Sequence, residues 1–344
     1  MQQFVQTAQR YGKNLTFAAP KNAPMIMSNE KLKGHAFIFV GSLLFAVNLP
    51  ISKYLLPLYV TPEFLTLFRV VVVGVMFWIA SLFVRREKVS LKDLGMLFLC
   101  SLCGIALNQL LFIRGLNITS PVDASVISTV VPVFVMLLAA FILREPITRQ
   151  KAFGVLLGIV GALSLILRSA HATELAGSLD GNLLIIFSSL CYALYLVMSK
   201  PLTLRYSSVT IMKWMFLFAT LLLLPFLHIH ILDPGAIFSR QPTIDYKGIA
   251  ALSYVILGAT FLPYLLIPMA MRRILPTTVS MYNYVQPVVA SFIAVWAGQD
   301  RFSIAKLLSA ALVFVGVWLV TQSKSRADME REASSHVAQK SRRD

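Results

Sequence analysis

Ten apolar stretches follow one another along the 344-residue chain, separated by short polar segments. A helix needs about 20 mainly apolar residues to cross a bilayer. Hydrophobic residues make up 57% of the chain and charged residues only 13%, about half the charged share of a soluble domain. The sequence therefore predicts an all-α membrane protein with ten transmembrane helices. The ten windows are approximately Gly34–Leu55, Pro62–Val84, Leu94–Arg114, Val122–Leu143, Ala152–Leu167, Asn182–Lys200, Val209–Leu227, Ile249–Met269, Thr278–Trp296 and Ile304–Thr321.

The basic residues indicate orientation, because lysine and arginine are enriched in cytoplasmic loops. With a cytoplasmic N-terminus, 22 of the 31 lysines and arginines fall in cytoplasmic segments and seven fall on the opposite side. This bias predicts cytoplasmic tails at residues 1–33 and 324–344 and an even number of spans. The net charge of +16 is then explained by membrane topology, so no nucleic-acid partner is predicted.

An internal repeat relates the two halves of the chain. The third to fifth windows align with the eighth to tenth at a shift of 155 residues, and the first aligns with the sixth at a shift of 147. Because each half has five spans, an odd number, the second copy must be inverted in the membrane. The sequence predicts two inverted five-helix repeats, residues 34–168 and 181–323, with an external linker at 169–180. Inverted repeats commonly build secondary transporters. Aligned pairs include Pro121 with Pro276, Pro132 with Pro287, Glu145 with Asp300, Gly161 with Gly316, and Lys53 with Lys200.

Each half also resembles an EamA domain of the drug/metabolite transporter superfamily. In Thr119–Leu167 the shared features are small residues opening the fourth helix, a proline within it, an acidic residue at its end and a glycine-rich fifth helix. The matching stretch Leu275–Thr321 keeps the proline, the acid and one glycine. The resemblance implies ten helices, a central cavity and transport of amino acids, other metabolites or drugs.

Polar side chains at membrane depth are costly unless they face protein or a water-filled cavity, so they are candidate solute contacts. In the ninth window Tyr282, Asn283 and Gln286 share one helical face, and we expect Gln286→Ala or Asn283→Ala to abolish flux without unfolding the protein. Interhelical hydrogen bonds and simple packing remain the alternative roles. The full set of predicted solute-binding residues is Asn48, Arg69, Gln109, Ser128, Tyr192, Tyr195, Tyr264, Tyr282, Asn283 and Gln286.

Two prolines within helices are predicted to act in gating. Pro132 and Pro287 each free a backbone carbonyl and allow a bend, although a static kink is the alternative. Gly154, Gly158 and Gly161 form a small face on the fifth helix, which permits close helix packing within the chain or at a homodimer contact. Asp123 follows a Ser-Pro pair and is interpreted as a helix-capping residue, so no carboxylate is placed at mid-membrane.

No Walker loop, dinucleotide fingerprint or HExxH motif occurs, so no enzyme activity, cofactor or metal is predicted. Cys100 and Cys103 form a CxxC inside an apolar run without a second pair, which favours packing over metal binding. The predicted function is alternating-access transport of a small organic solute, an amino acid or related metabolite, in a bacterial inner membrane, with export implied by the resemblance. A passive facilitator or channel and a non-transporting membrane partner are the alternatives.

Overall fold

The computed structural model describes residues 29–118, 124, 127–169, 179–230, 245–296 and 304–323. These residues form helices α1 to α10 and contain no β-strand. The uninterrupted helices are α1 (Asn29–Leu58), α2 (Pro62–Ala80), α5 (Arg149–Ser169), α6 (Leu179–Thr203), α7 (Ser208–His230) and α10 (Ile304–Gln322). The interrupted helices are α3 (Leu91–Ser101, Leu102–Leu107, Asn108–Ile118), α4 (Val131–Leu138, Ala139–Leu143), α8 (Tyr246–Ile256, Leu257–Phe261, Leu262–Met271) and α9 (Pro276–Met281, Tyr282–Tyr284, Val285–Trp296).

Each of the ten predicted windows overlaps one of these helices. Local capping sets several of the starting points: Thr61 accepts a hydrogen bond from the Phe64 amide, Ser90 from the Asp93 amide and Asp245 from the Gly248 amide. Such side-chain caps satisfy backbone donors that the first helical turn leaves free. The predicted tail up to residue 28, the linker core at 170–178, the tail after residue 323 and the predicted cap Asp123 lie outside the described residues.

Breaks in the helical hydrogen-bonding pattern occur at matching places in the two halves. A π-helical turn interrupts α3 at Leu102–Leu107 and α8 at Leu257–Phe261, starting points that are 155 residues apart. In α9 a 3₁₀ turn at Tyr282–Tyr284 precedes Pro287, and a turn at Thr129–Val130 precedes Pro132. Hydropathy windows do not reveal such breaks, because the apolar pattern continues through them. π-Turns often mark functional sites.

Four apolar helical stretches of the described residues meet both the length and the composition needed to cross a membrane: Leu91–Leu116, Leu179–Thr203, Ser208–Pro225 and Tyr246–Met271. Phe64–Ala80, Val131–Leu143 and Leu307–Gln322 are shorter apolar helices. Large apolar side chains such as Phe153, Leu156 and Trp318 are more than half exposed, which suits a surface that faces lipid. Ten spans and their inverted arrangement remain predictions.

Helix α5 packs on α10 along the glycine face of α5. A Cβ atom on Gly154 would lie 2.8 Å from the Gly316 carbonyl oxygen, and one on Gly161 would lie 2.7 Å from the Ser309 carbonyl oxygen. Residue numbers rise along one helix as they fall along the other, so the two helices are antiparallel. The glycine face of α5 therefore serves packing within the chain.

The remaining helices form a bundle in which the two halves interleave. Helix α3 packs on α6 and α1 packs on α8, while α2 packs on α7. Helices α4 and α6 are neighbours, and so are α9 and α1. One continuous buried core includes residues from nearly all of these helices. The polar groups described next lie where α2, α3, α6 and α8 approach one another.

Candidate functional site

The hydroxyl of Tyr264 on α8 is the centre of a buried polar cluster. It accepts a hydrogen bond from the Gln109 side-chain amide at 2.9 Å and donates one to the Gly104 carbonyl at 3.3 Å. Gln109 and Tyr264 are 6% and 5% exposed. Both partners of Tyr264 lie on α3, and Gly104 belongs to the π-helical turn. The cluster thus joins the first half of the chain to the second.

Tyr195 and Tyr192 extend the cluster from α6. Their ring centroids are 5.9 Å apart, and the hydroxyls of both residues lie near that of Tyr264. The Tyr195 ring lies directly on Gly104, where an added Cβ atom would be 2.4 Å from the Tyr195 Cγ atom. Only glycine permits this approach. Gly104 therefore supports one tyrosine with its bare backbone and binds the other with its carbonyl.

Arg69 completes the cluster from α2. Its guanidinium interacts electrostatically with the Tyr264 hydroxyl. The described residues supply no carboxylate within salt-bridge distance of Arg69. This lack of an acidic partner within the described part of the chain is unusual, because intramembrane arginines normally pair with an acid or with backbone carbonyls.

Aromatic rings cover one side of the polar cluster. The rings of Phe45 and Phe216 meet the Tyr264 ring edge-on, at centroid distances of 6.4 and 5.2 Å. Phe77 packs on Phe216 at 5.4 Å and on Phe261 at 4.7 Å. These rings exclude water from one side of the cluster, and low local dielectric strengthens the electrostatic interactions there.

Three buried side-chain polar atoms in the described residues have no hydrogen-bond partner: Arg69 Nε, Gln109 Oε1 and Tyr195 OH. All three belong to the cluster around Tyr264. Buried polar groups are nearly always paired, so each exception requires an explanation. Arg69 offers a cationic donor, Gln109 an acceptor and Tyr195 either. A ligand that has both an anionic and a cationic group would satisfy all three.

The structure thus brings together five of the ten predicted solute-binding residues: Arg69, Gln109, Tyr192, Tyr195 and Tyr264. The other five make separate contacts. Their hydrogen bonds join Tyr282 to His35 at 2.9 Å, Gln286 to Asn283 at 3.4 Å, Ser52 to Asn48 at 3.2 Å, and Ser128 to the Ala124 carbonyl at 2.7 Å.

Sequence reasoning missed two residues that join the halves, one on α9 and one in the turn just before α4. The Tyr284 hydroxyl donates to the Thr129 carbonyl at 2.9 Å in a buried contact. These two residues are 155 positions apart, the same shift that relates the halves, so the repeat itself could have indicated the pair. The contact lies directly beside the helix breaks that precede Pro132 and Pro287, the two predicted gating residues.

The opposite ends of the bundle carry separate polar links. Tyr59, after α1, donates to Asp245, before α8, at 2.9 Å. Two hydrogen bonds hold the pKa of Asp245 below its usual range, because both favour the carboxylate. The larger effect comes from the Gly248 amide and the smaller from the Tyr59 hydroxyl. The other end carries several ion pairs, including Arg205 with Asp93 at 3.1 Å.

The described residues contain no group of three or more His, Cys, Asp or Glu side chains arranged to hold a metal ion. Apolar helices and exposed apolar side chains define an integral membrane protein, and a buried polar cluster lies between its two halves. The chain belongs to the EamA-like transporter family, whose model matches residues 32–167 and 179–322. This family consists of membrane transporters and not of enzymes.

Proteins from bacteria and a plant are similar to this chain. A probable terminal-alkyne amino-acid exporter of Streptantibioticus cattleyicolor is 28% identical over 277 residues, 79% of this chain and 87% of that protein. The uncharacterized transporter YetK of Bacillus subtilis is 26% identical over 243 residues, 69% of this chain and 71% of its own length. A WAT1-related protein of Arabidopsis thaliana is 25% identical over 287 residues, 75% of this chain and 76% of its own length.

One protein of known crystal structure has a similar fold. It superposes with a TM-score of 0.66 at 19% sequence identity, covering 85% of this chain and 96% of that chain. At this level of identity the likeness bears on the fold alone.

Proposed function

We propose that the protein is a secondary transporter that moves an amino acid or a related small metabolite by alternating access, and that the solute binds at the cluster around Tyr264. The observation that carries the proposal is the set of three unpartnered buried atoms, Arg69 Nε, Gln109 Oε1 and Tyr195 OH. Burying an unpaired polar group costs about 1–3 kcal/mol. A zwitterion would offset that cost, with its carboxylate on Arg69 and Tyr195 and its ammonium group on Gln109.

The proposal includes two inverted five-helix repeats, residues 34–168 and 181–323. A two-fold axis between repeats requires that contacts occur in exchanged pairs. Gly154 contacts Gly316, and Gly161 contacts Ser309. The shift of 155 residues relates Gly154 to Ser309 and Gly161 to Gly316, so the repeat converts one contact into the other. The helix neighbours exchange in the same way, since α3 with α6 corresponds to α8 with α1. This symmetry supports an inverted repeat.

An inverted repeat provides two equivalent conformations of one chain, which is the basis of alternating access in many secondary transporters. The site around Tyr264 lies between the halves, so rocking one half against the other would expose it to each side in turn. We place both termini in the cytoplasm of a bacterial cell, with the chain in the inner membrane, from the distribution of lysines and arginines. Export is the proposed direction, supported by the name of the relative from Streptantibioticus cattleyicolor.

The test is solute counterflow in liposomes that contain the purified protein. A thermal-shift screen of amino acids and related zwitterions first identifies a ligand. Liposomes preloaded with unlabelled ligand should then take up labelled ligand faster than empty liposomes. The reason is that the binding site of a carrier returns to the outer face faster when it is occupied than when it is empty. Saturable entry without acceleration would instead identify a passive facilitator or channel. Absence of binding and entry for every solute would identify a non-transporting partner protein.

A further inference from the structure

One end of the bundle consists of the start of α1 and the connections that follow α2, α4, α6 and α8. A cluster of charged side chains is buried at this end. Glu145 forms a salt bridge with Lys151 at 3.1 Å, with side chains 8% and 2% exposed. Thr277, at the start of α9, donates to the same Glu145 oxygen at 3.3 Å. Glu145 and Lys151 belong to the first half of the chain and Thr277 to the second, so the contact bridges the halves.

The local backbone turns Glu145 inward. Arg144 has a φ of 56°, a left-handed conformation that is uncommon for residues other than glycine. The Glu145 amide then donates to the Ala139 carbonyl at 3.2 Å, back within the last turn of α4. A surface loop would require neither the unusual conformation nor the burial of the carboxylate. The sequence predicts an acidic residue at the end of the fourth helix but does not indicate that it is buried.

Lys200, at the end of α6, adds a second cation to this cluster. It is 3% exposed and interacts electrostatically with Glu145. Its ammonium group donates to the carbonyls of Met271 and Ile274, the latter at 2.9 Å. These carbonyls lie at the end of α8, where backbone acceptors lack helical partners. Lys200 therefore connects α6, the end of α8 and the carboxylate of the first half.

The link between Arg273 and Glu30 at this end is more exposed. Arg273 pairs with Glu30 at 2.9 Å, but the Glu30 side chain is 60% exposed. Hydrogen bonds from Lys33 and, to a smaller extent, from Arg273 lower the pKa of Glu30. Exposed ion pairs contribute little to stability. Buried ions differ, because their desolvation is offset only while every partner is in place.

We propose that Glu145, Lys151, Lys200 and Thr277 form a latch that closes this end of the bundle and separates when the site around Tyr264 opens to the same side. The proposal rests on the alternating-access function. Buried charges suit a switch between two states, since the partners are fully engaged when closed and become hydrated when open. Loss of the Glu145 charge would remove from buried Lys151 the one carboxylate that pairs with it among the described residues, which favours the open state.

The experiment measures access to Ser199 with a thiol reagent. Ser199 is fully buried, beside Lys200, and its hydroxyl lies 3.9 Å from the Met271 sulfur. Ser199→Cys is introduced after Cys100, Cys103 and Cys191 are replaced by alanine. A membrane-impermeant maleimide is then applied separately to each side of sealed vesicles, and the labelling rate is compared with and without Glu145→Gln. Glu30→Gln is the matched control, because it removes an acid from the exposed link at the same end.

We expect Glu145→Gln to raise labelling from the latch side by about ten-fold through a shift toward the open state, and Glu30→Gln to leave the rate unchanged. Equal rates for Glu145→Gln and the parent, both folded by thermal melting, would overturn the latch. If Glu145→Gln does not fold, the double variant Glu145→Gln/Lys151→Met removes both charges of the pair and is subject to the same two outcomes. Labelling reports access and not flux, so failure of the latch is distinguishable from failure of the transport proposal.

Discussion

Gln109 and Tyr264 are separated by 155 residues, the shift that relates the two halves, and they share a hydrogen bond of 2.9 Å. Thr129 and Tyr284 have the same separation and are also hydrogen-bonded. A residue can touch its own symmetry mate only close to a two-fold axis. The proposed solute site and the α4–α9 contact would therefore both lie near the axis between the repeats. There, motion of one half relative to the other directly changes the contacts.

Removal of the Tyr264 hydroxyl tests the centre of the site. Tyr264→Phe removes the hydroxyl that accepts from the Gln109 amide and donates to the Gly104 carbonyl, at a cost of about 1–3 kcal/mol. If the solute also binds there, we expect counterflow at low solute concentration to fall by about ten-fold. The measurement is the initial rate of labelled solute entry into preloaded liposomes.

Tyr254→Phe is the matched control for that variant. Tyr254 lies on the same helix, and its hydroxyl donates to the Leu44 carbonyl at 2.9 Å, without any contact with the cluster. Both variants remove one tyrosine hydroxyl that binds a carbonyl. Equal losses of transport in the two variants would show that Tyr264 serves packing and not solute binding.

The Arg69 guanidinium provides a different signature. Arg69→Met removes a cation that has no acidic partner among the described residues, so we expect the melting temperature of the solute-free protein not to fall. A charge-assisted hydrogen bond contributes about 1.5–3 kcal/mol, so the same variant should weaken solute binding by about 10- to 100-fold. Arg69→Lys keeps the charge but not the planar fork, and should give an intermediate affinity. A lower melting temperature with unchanged affinity would assign Arg69 a structural role. Both quantities come from thermal melting with increasing solute.

The helix positions followed from the sequence because hydropathy registers the cost of exposing polar backbone and side chains to lipid. The breaks in the helices could not be predicted from the sequence, since the π-turn at Leu102–Leu107 consists of the same apolar and small residues as the helix around it. These turns matter for the site, because Gly104 lies within one of them. A pattern based on regular periodicity cannot detect a local change in hydrogen bonding.

The site was only partly predictable for a related reason. Helical spacing shows which side chains share a face of one helix, but it does not show which faces of different helices meet. Tyr282, Asn283 and Gln286 form the densest polar patch within the predicted membrane spans, yet Tyr282 bonds to His35 and Gln286 to Asn283. The sequence alone does relate Gln109 to Tyr264, because the repeat places these two residues at equivalent positions.

Close packing of α5 on α10 can be tested with a single methyl group. In Gly154→Ala the new Cβ atom would meet the Gly316 carbonyl oxygen at 2.8 Å, and overpacking of this kind costs about 1–3 kcal/mol. We expect a lower melting temperature. Gly95→Ala, on α3, meets no atom within 4 Å and should gain up to about 1 kcal/mol from helix propensity. Changes of the same sign in both variants would mean that α5 and α10 do not pack as described.

The inverted repeat makes a prediction about sidedness. Arg86, after α2, and Arg272, after α8, are exposed, as is Lys247 near the start of α8. With ten spans, Arg86→Cys and Arg272→Cys must lie on one side of the membrane and Lys247→Cys on the other. Cells and inverted vesicles are treated with an impermeant maleimide, each variant being made without the native cysteines. We expect the two arginine positions to react only in inverted vesicles and the lysine position only in intact cells. Reaction of Arg86→Cys and Arg272→Cys from opposite sides would exclude five spans per half, because an even number of crossings must separate the two loops.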